Sequence, residues 1–179
     1  MHYANIKLND IANGPGIRLS LFVSGCTNHC EGCFNKETWD FNFGNEYTEE
    51  TKNFILKNLN EKRYQGLTIL GGEPFELQNQ PVVLDLIKAV KEKFPEKDIW
   101  MYTGFTYDKD LCPGGKRYIK DITSEILKNI DTLVDGKFEK DKYSIMLLFR
   151  GSSNQRLIDT KKSTYDNVIQ KTIEGADAK

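Results

Sequence analysis

"RLSLFVS", residues 18–24, runs straight into "GCTNHCEGCF", residues 25–34, which holds three of the chain's four cysteines. The first stretch reads as a strand, so Cys26, Cys30 and Cys33 sit on a loop at a strand's end, spaced C-x3-C-x2-C. Structural zinc sites close with four protein ligands, often as two separated C-x2-C pairs. Here one pair is spread by an extra residue and no second pair follows. A cubane iron–sulfur cluster takes four cysteines as a rule, so three would leave one iron open to a substrate. Two other readings stand beside this one: a zinc site completed by His29 or Cys112, and three unligated core thiols. His29 lies between two cysteines, where folding back onto the same metal would be strained, and reads as loop surface or as a residue behind the ligands. Cys112, in the turn-like "LCPGGK", reads as an ordinary free thiol.

The chain has 179 residues, the length of one domain, and a net charge of −1. That charge gives no bulk attraction to nucleic acid or to an anionic membrane. No apolar run approaches the ~20 residues that span a bilayer, and "MHYANIKLND" lacks the regions of a secretory signal. The expected setting is the cytoplasm, where thiols stay reduced and a cysteine cluster points to metal or redox chemistry.

Strand and helix patterns alternate. "TEETKNFILKNLNEKR", residues 48–63, reads as a helix capped by Thr48. "GLTIL" is a short strand ending in "GGEPF". "QPVVLDLIKAVKEKF" is a helix with Pro81 in its first turn and an apolar stripe of Val83, Leu86, Ile87, Val90 and Phe94. "DIWMYTG" is a strand, "TSEILKNI" a short helix, "DTLVDGKF" a strand and turn, and "IMLLFR", residues 145–150, a last strand. Repeated βαβ units predict parallel strands, with function gathered beyond their carboxyl ends. The cysteine loop, "GGEP", "YTG" and "DGK" all fall there. A closed eight-stranded barrel takes ~250 residues, so the expected fold is α/β, an open partial (βα) barrel with a mostly parallel sheet, spanning residues 1–179 as a single domain.

C-x3-C-x2-C after a strand resembles the signature of radical S-adenosylmethionine (SAM) enzymes. With "NGPGIR", "FVSGC" and "GCFNKETW" the chain resembles the glycyl-radical-enzyme activases. "QGLTILGGEPFELQN", "PEKDIWMYTGF", "LVDGKF" and "FRGSSNQR" narrow this to the activators of anaerobic ribonucleoside-triphosphate reductases. The resemblance covers about residues 13–156; the tail, 157–179, and "CPGGK" have no counterpart role. It departs at Gly32, where the superfamily usually carries an aromatic, at Phe34, where these activases usually carry Tyr, and at "GGEP", which stands for "GGDP".

The resemblance implies an open partial barrel of the radical SAM type. Cys26, Cys30 and Cys33 would hold a [4Fe–4S] cluster whose fourth iron is chelated by SAM. Gly32, Cys33, Phe34, Gly71, Gly72, Glu73 and Thr103 would contact SAM, with Glu73 accepting from its amino group and Phe34 lying against adenine. No catalytic side chain is expected beyond cluster and SAM. A donor such as flavodoxin or ferredoxin would supply one electron, SAM would split to a 5′-deoxyadenosyl radical, and a glycine of the reductase's catalytic subunit would lose a hydrogen atom. Apart from the resemblance, "NGPGIR" reads as a plain turn, or its place before the cluster strand would let Arg18 offset charge near the cluster. An activase of another glycyl radical enzyme, such as pyruvate formate-lyase, and a non-catalytic zinc or thiol interaction module are the alternatives.

Overall fold

In a computed structural model, residues 1–173 are described. The sheet is read from its centre. β2 (Ile17–Val23) and β4 (Tyr64–Gly71) pair in parallel, as do β4 with β5 (Asp98–Tyr102) and β5 with β6 (Thr132–Asp135). Three helices make the crossovers: α1 (Glu49–Leu59), α2 (Gln80–Lys93) and α3 (Thr123–Asn129). Antiparallel strands flank this centre. β1 (His2–Asp10) and β3 (Asn45–Glu46) lie beside β2, and β7 (Arg156–Asp159) lies beside β6. The order β3-β1-β2-β4-β5-β6-β7 leaves the sheet open.

Alternation along the strands divides the two faces. Leu19, Leu21, Leu67, Ile69, Ile99, Met101, Leu133 and Ile158 join the main core with Ile55, Leu59, Val83, Leu86, Ile87, Val90 and Ile126 of the helices. All three helices therefore cover one face, as crossovers of one hand between neighbouring parallel strands require. The intervening residues Arg18, Ser20, Thr68 and Thr132 are buried and polar, and Trp100, Val134 and Leu157 form a small separate cluster with Phe149 and Tyr102.

The helix signals hold. The Thr48 side chain accepts from the Thr51 backbone, Thr51 answers reciprocally, and Pro81 sits in the first turn of α2. Two expectations are corrected. "IMLLFR" is a run of turns, not a strand, with Ile145 81% and Met146 63% exposed. Of its apolar residues, Phe149 packs on the Trp100 cluster, while Ile145, Met146 and Leu148 are exposed. Arg18 lies at the opposite end of β2 from the cysteine loop, buried against Asp98 (2.7 Å), Thr68 (2.6 Å) and the Trp100 ring. It neutralises Asp98, not a cluster. The segment after residue 156 carries β7 and pairs back along it, Asp159 N–H donating to Ile169 (2.9 Å) and Lys171 N–H to Leu157 (2.7 Å); residues 174–179 of the expected tail lie outside the described residues.

Candidate metal centre

The cysteine loop is clamped where β2 ends. Gly25 N–H donates to Thr38 (2.8 Å) and Cys26 N–H to Trp39 (3.3 Å), so the one-turn helix Lys36–Trp39 closes the loop behind the thiols. From β4, Gly72 N–H donates to Val23 (2.7 Å) and Glu73 N–H to Gly25 (2.8 Å). The two glycines of "GGEP" serve this junction. Gly71 has φ +108°, and a Cβ on Gly72 would come within 2.7 Å of the Gly25 oxygen and 2.9 Å of that of Thr38. Their observed role is to let two strand ends meet.

All four cysteines are free thiols. Cys26, Cys30 and Cys33 line one cavity of about 200 Å³ with Phe34, Trp39, Gly71, Gly72, Glu73, Tyr102, Thr103, Gly104, Phe138 and Gln155. Cys26 and Cys30 are buried and Cys33 is half-buried. Each sulfur has a backbone N–H donor: Asn28 to Cys26, Phe138 to Cys30, and Asn35 to Cys33 (3.4 Å). Such donors suit thiolates. Among the described residues, no three His, Cys, Asp or Glu side chains converge where one metal ion could be held. Burial, then the Glu73 carboxylate, pushes the Cys26 thiol up to about 12, so binding iron must expel a tightly held proton.

Glu73 is fully buried. Oε1 accepts from Phe75 N–H (3.0 Å) and Thr103 Oγ1 (2.8 Å), and Oε2 from Asn28 Nδ2 (2.9 Å) and Gly104 N–H (2.8 Å). Burial nevertheless raises its pKa to about 7, and the Glu76 charge adds to the rise. Thr103 thus reaches the cavity chiefly by orienting Glu73. Gly32 has φ +74° and lies on the loop between Cys30 and Cys33; it does not line the cavity. Phe34 is 72% exposed and meets the rings of Phe138 and Tyr143 at 5.7 and 5.8 Å. An ion pair between Glu31 and Lys140 (3.0 Å) further ties the 138–143 segment to the cysteine loop.

His29 stacks on Trp39, ring centroids 4.6 Å apart. Cys112 sits away from the cavity, its Sγ near the carbonyls of Asp108 and Lys109. "RGSSNQR" acts as a brace: Gln155 accepts from the N–H groups of Gly151 and Ser152 and donates to the Gly136 carbonyl. The sequence reading missed Glu76 and Arg117. Glu76 accepts from the Thr27 N–H (2.8 Å) and hydroxyl (2.6 Å), and Arg117 bonds both Thr27 (2.6 Å) and Glu76 (3.2 Å). Arg117 is 90 residues from Thr27 and belongs to no local pattern. A second, polar cavity of about 600 Å³ adjoins, lined by Lys116, Arg117, Lys137, Arg156, Asp110 and Asp135 among others; Asn28, Gly104 and Gly136 border both.

Comparison with known proteins agrees with this geometry. A family model described as a 4Fe-4S single cluster domain matches residues 12–158. The chain is 43% identical over 157 residues to the anaerobic ribonucleoside-triphosphate reductase-activating protein of Pasteurella multocida, covering 87% of this chain and 95% of that one. It is 41% identical to the protein of the same name from Enterobacteria phage T4 (88% and 93% covered) and 40% identical to that of Escherichia coli K12 (87% and 96% covered). The chain therefore belongs to the family of anaerobic ribonucleoside-triphosphate reductase-activating proteins, built on a 4Fe-4S single cluster domain.

Proposed function

We propose that the chain activates the catalytic subunit of an anaerobic ribonucleoside-triphosphate reductase as a radical SAM oxidoreductase. Its parallel centre with helices on one face is taken as the open partial barrel of that class. When bound, a [4Fe–4S] cluster and SAM supply the chemistry: one electron enters the sulfonium, methionine leaves, and the resulting 5′-deoxyadenosyl radical takes a hydrogen atom from a reductase glycine.

The chain's residues hold, orient and exclude. Cys26, Cys30 and Cys33 would hold the cluster, and the N–H groups of Asn28, Phe138 and Asn35 favour their thiolate forms. Glu73 places a carboxylate in the wall without a cationic side chain hydrogen-bonded to it. The amino group of SAM is assigned to donate a hydrogen bond to it, in place of the amide of Asn28. Gly71 and Gly72 keep this wall against the cysteine loop. Phe34 offers a ring face for adenine at the rim. The turns at 145–148, with Ile145, Met146 and Leu148 exposed, give a protein substrate apolar surface to bury. Electrons would come from a flavodoxin or ferredoxin in the cytoplasm.

One observation carries this reading: three free thiols, each with its own N–H donor, share a cavity with a buried carboxylate. The test is anaerobic reconstitution with iron and sulfide, then dithionite, SAM and the reductase catalytic subunit. Methionine, 5′-deoxyadenosine and a glycyl radical in the paramagnetic resonance spectrum are expected. A colourless protein with one zinc and intact SAM would overturn the reading.

A further inference from the structure

The wall of the cysteine cavity holds a donor that nothing among the described residues satisfies. Trp39 lines the cavity, and its indole Nε1 is buried without a hydrogen-bond partner. A buried N–H is rarely left unpaired, so an acceptor belongs beside it. The ring is fixed from both sides of the chain. The Trp39 carbonyl accepts from Cys26 N–H (3.3 Å), and the indole stacks on His29 at 4.6 Å with 25° between planes. His29 lies between Cys26 and Cys30 and takes φ +44°, a left-handed conformation uncommon outside glycine. The loop thus adopts a disfavoured backbone geometry in the segment that carries the Trp39 stack.

We infer that the Trp39 indole N–H is a hydrogen-bond donor to the sulfur of the cluster and raises its reduction potential. This rests on the reading that Cys26, Cys30 and Cys33 hold a [4Fe–4S] cluster. Their sulfurs already have three backbone donors, and each further N–H to sulfur favours the reduced, more negatively charged form. His29 acts as a positioning residue, holding the indole plane. Its place between two cysteines then has a purpose that does not require it to bind metal.

The test uses the reconstituted protein without SAM. Iron and sulfide content reads the cluster assignment; potentiometric titration followed by paramagnetic resonance reads the donor. Trp39→Phe keeps a ring for the stack and deletes the N–H. It is expected to retain wild-type iron while its potential shifts to more negative values. His29→Ala is expected to shift it in the same direction by less. A Trp39→Phe variant with full iron and an unchanged potential would overturn the inference, as would one whose only defect is weaker SAM binding, since the donor would then belong to SAM. If Trp39→Phe fails to fold or load iron, the wild-type chain decides. It has two tryptophans, Trp39 and Trp100, and Trp100 packs against Arg18 and Phe149 outside the cavity. With 15N-labelled indoles, the Trp39 N–H resonance is expected to acquire a hyperfine shift on cluster loading while that of Trp100 moves little. Equal small shifts for both would overturn the inference.

Discussion

Asp10 and Glu73 mark opposite ends of the sheet, and both are fully buried carboxylates that accept four hydrogen bonds. They titrate in opposite directions. Burial pushes Asp10 up, but donors from Ser20, Asn13, Lys7 and Ala12 outweigh it and bring its pKa to about 2. Around Glu73 burial wins and the pKa rises to about 7. Asp10 has the ammonium of Lys7 at 2.9 Å; Glu73 has four neutral donors and the like charge of Glu76. At the amino end of β2 the buried polar groups are closed among themselves, with Arg18 on Asp98 as the second example. At the carboxyl end Glu73 has no cationic hydrogen-bond partner among the described residues, and Trp39 Nε1 is among the buried polar atoms there without one. One end is built for stability and the other awaits a partner that brings charge and acceptors.

Four substitutions break or sharpen this contrast. Cys30→Ala has the largest expected effect: near-complete loss of iron and sulfide after anaerobic reconstitution, measured by metal analysis and visible absorbance. Glu73→Gln should keep the cluster and weaken SAM binding by roughly 10- to 100-fold, the value of one charged hydrogen bond, measured by equilibrium dialysis. Asp10→Asn should leave SAM binding unchanged and cost about 2 kcal/mol at neutral pH, from ~1.4 kcal/mol per pKa unit. The sign follows from its lowered pKa: the stabilisation is complete above 3.8 and is lost as pH falls toward about 2. Urea unfolding at several pH values should show a smaller acid limb in the variant than in the wild type, the remainder coming from other lowered carboxylates such as Asp108. Cys112→Ser should change neither iron content nor unfolding midpoint by more than the error of the measurement, because that thiol's hydrogen bonds run to carbonyls of its own turn, which a hydroxyl can also reach.

The elements with strong periodicity were legible before any coordinates. The stripe of α2 and the Thr48 cap are where the pattern puts them, because burial on one face imposes that pattern. The run "IMLLFR" failed for the same physical reason. Apolar residues there sit on exposed turns, and hydrophobicity alone does not distinguish a core strand from a surface. Strands β1 and β7 carry weaker signals, being flanking strands with half-exposed positions. Within the site, Cys26, Cys30, Cys33, Glu73 and Thr103 were readable from spacing and motif and meet in one cavity. Gly71 and Gly72 line it too while serving strand packing, and Gly32 is not in its lining. The Thr27–Glu76–Arg117 bridge was hidden because tertiary contact alone joins residues so far apart in sequence.

The central claim is that three thiols leave one iron free for the amino and carboxylate groups of SAM. Electron–nuclear double resonance on the reduced, reconstituted protein tests it, using SAM labelled with 15N in its amino group. A 15N coupling strong enough for direct iron ligation is expected, and with unlabelled SAM it should be replaced by the corresponding 14N pattern. No coupling from labelled SAM, together with one from a 15N-labelled protein side chain on the fourth iron, would contradict the account.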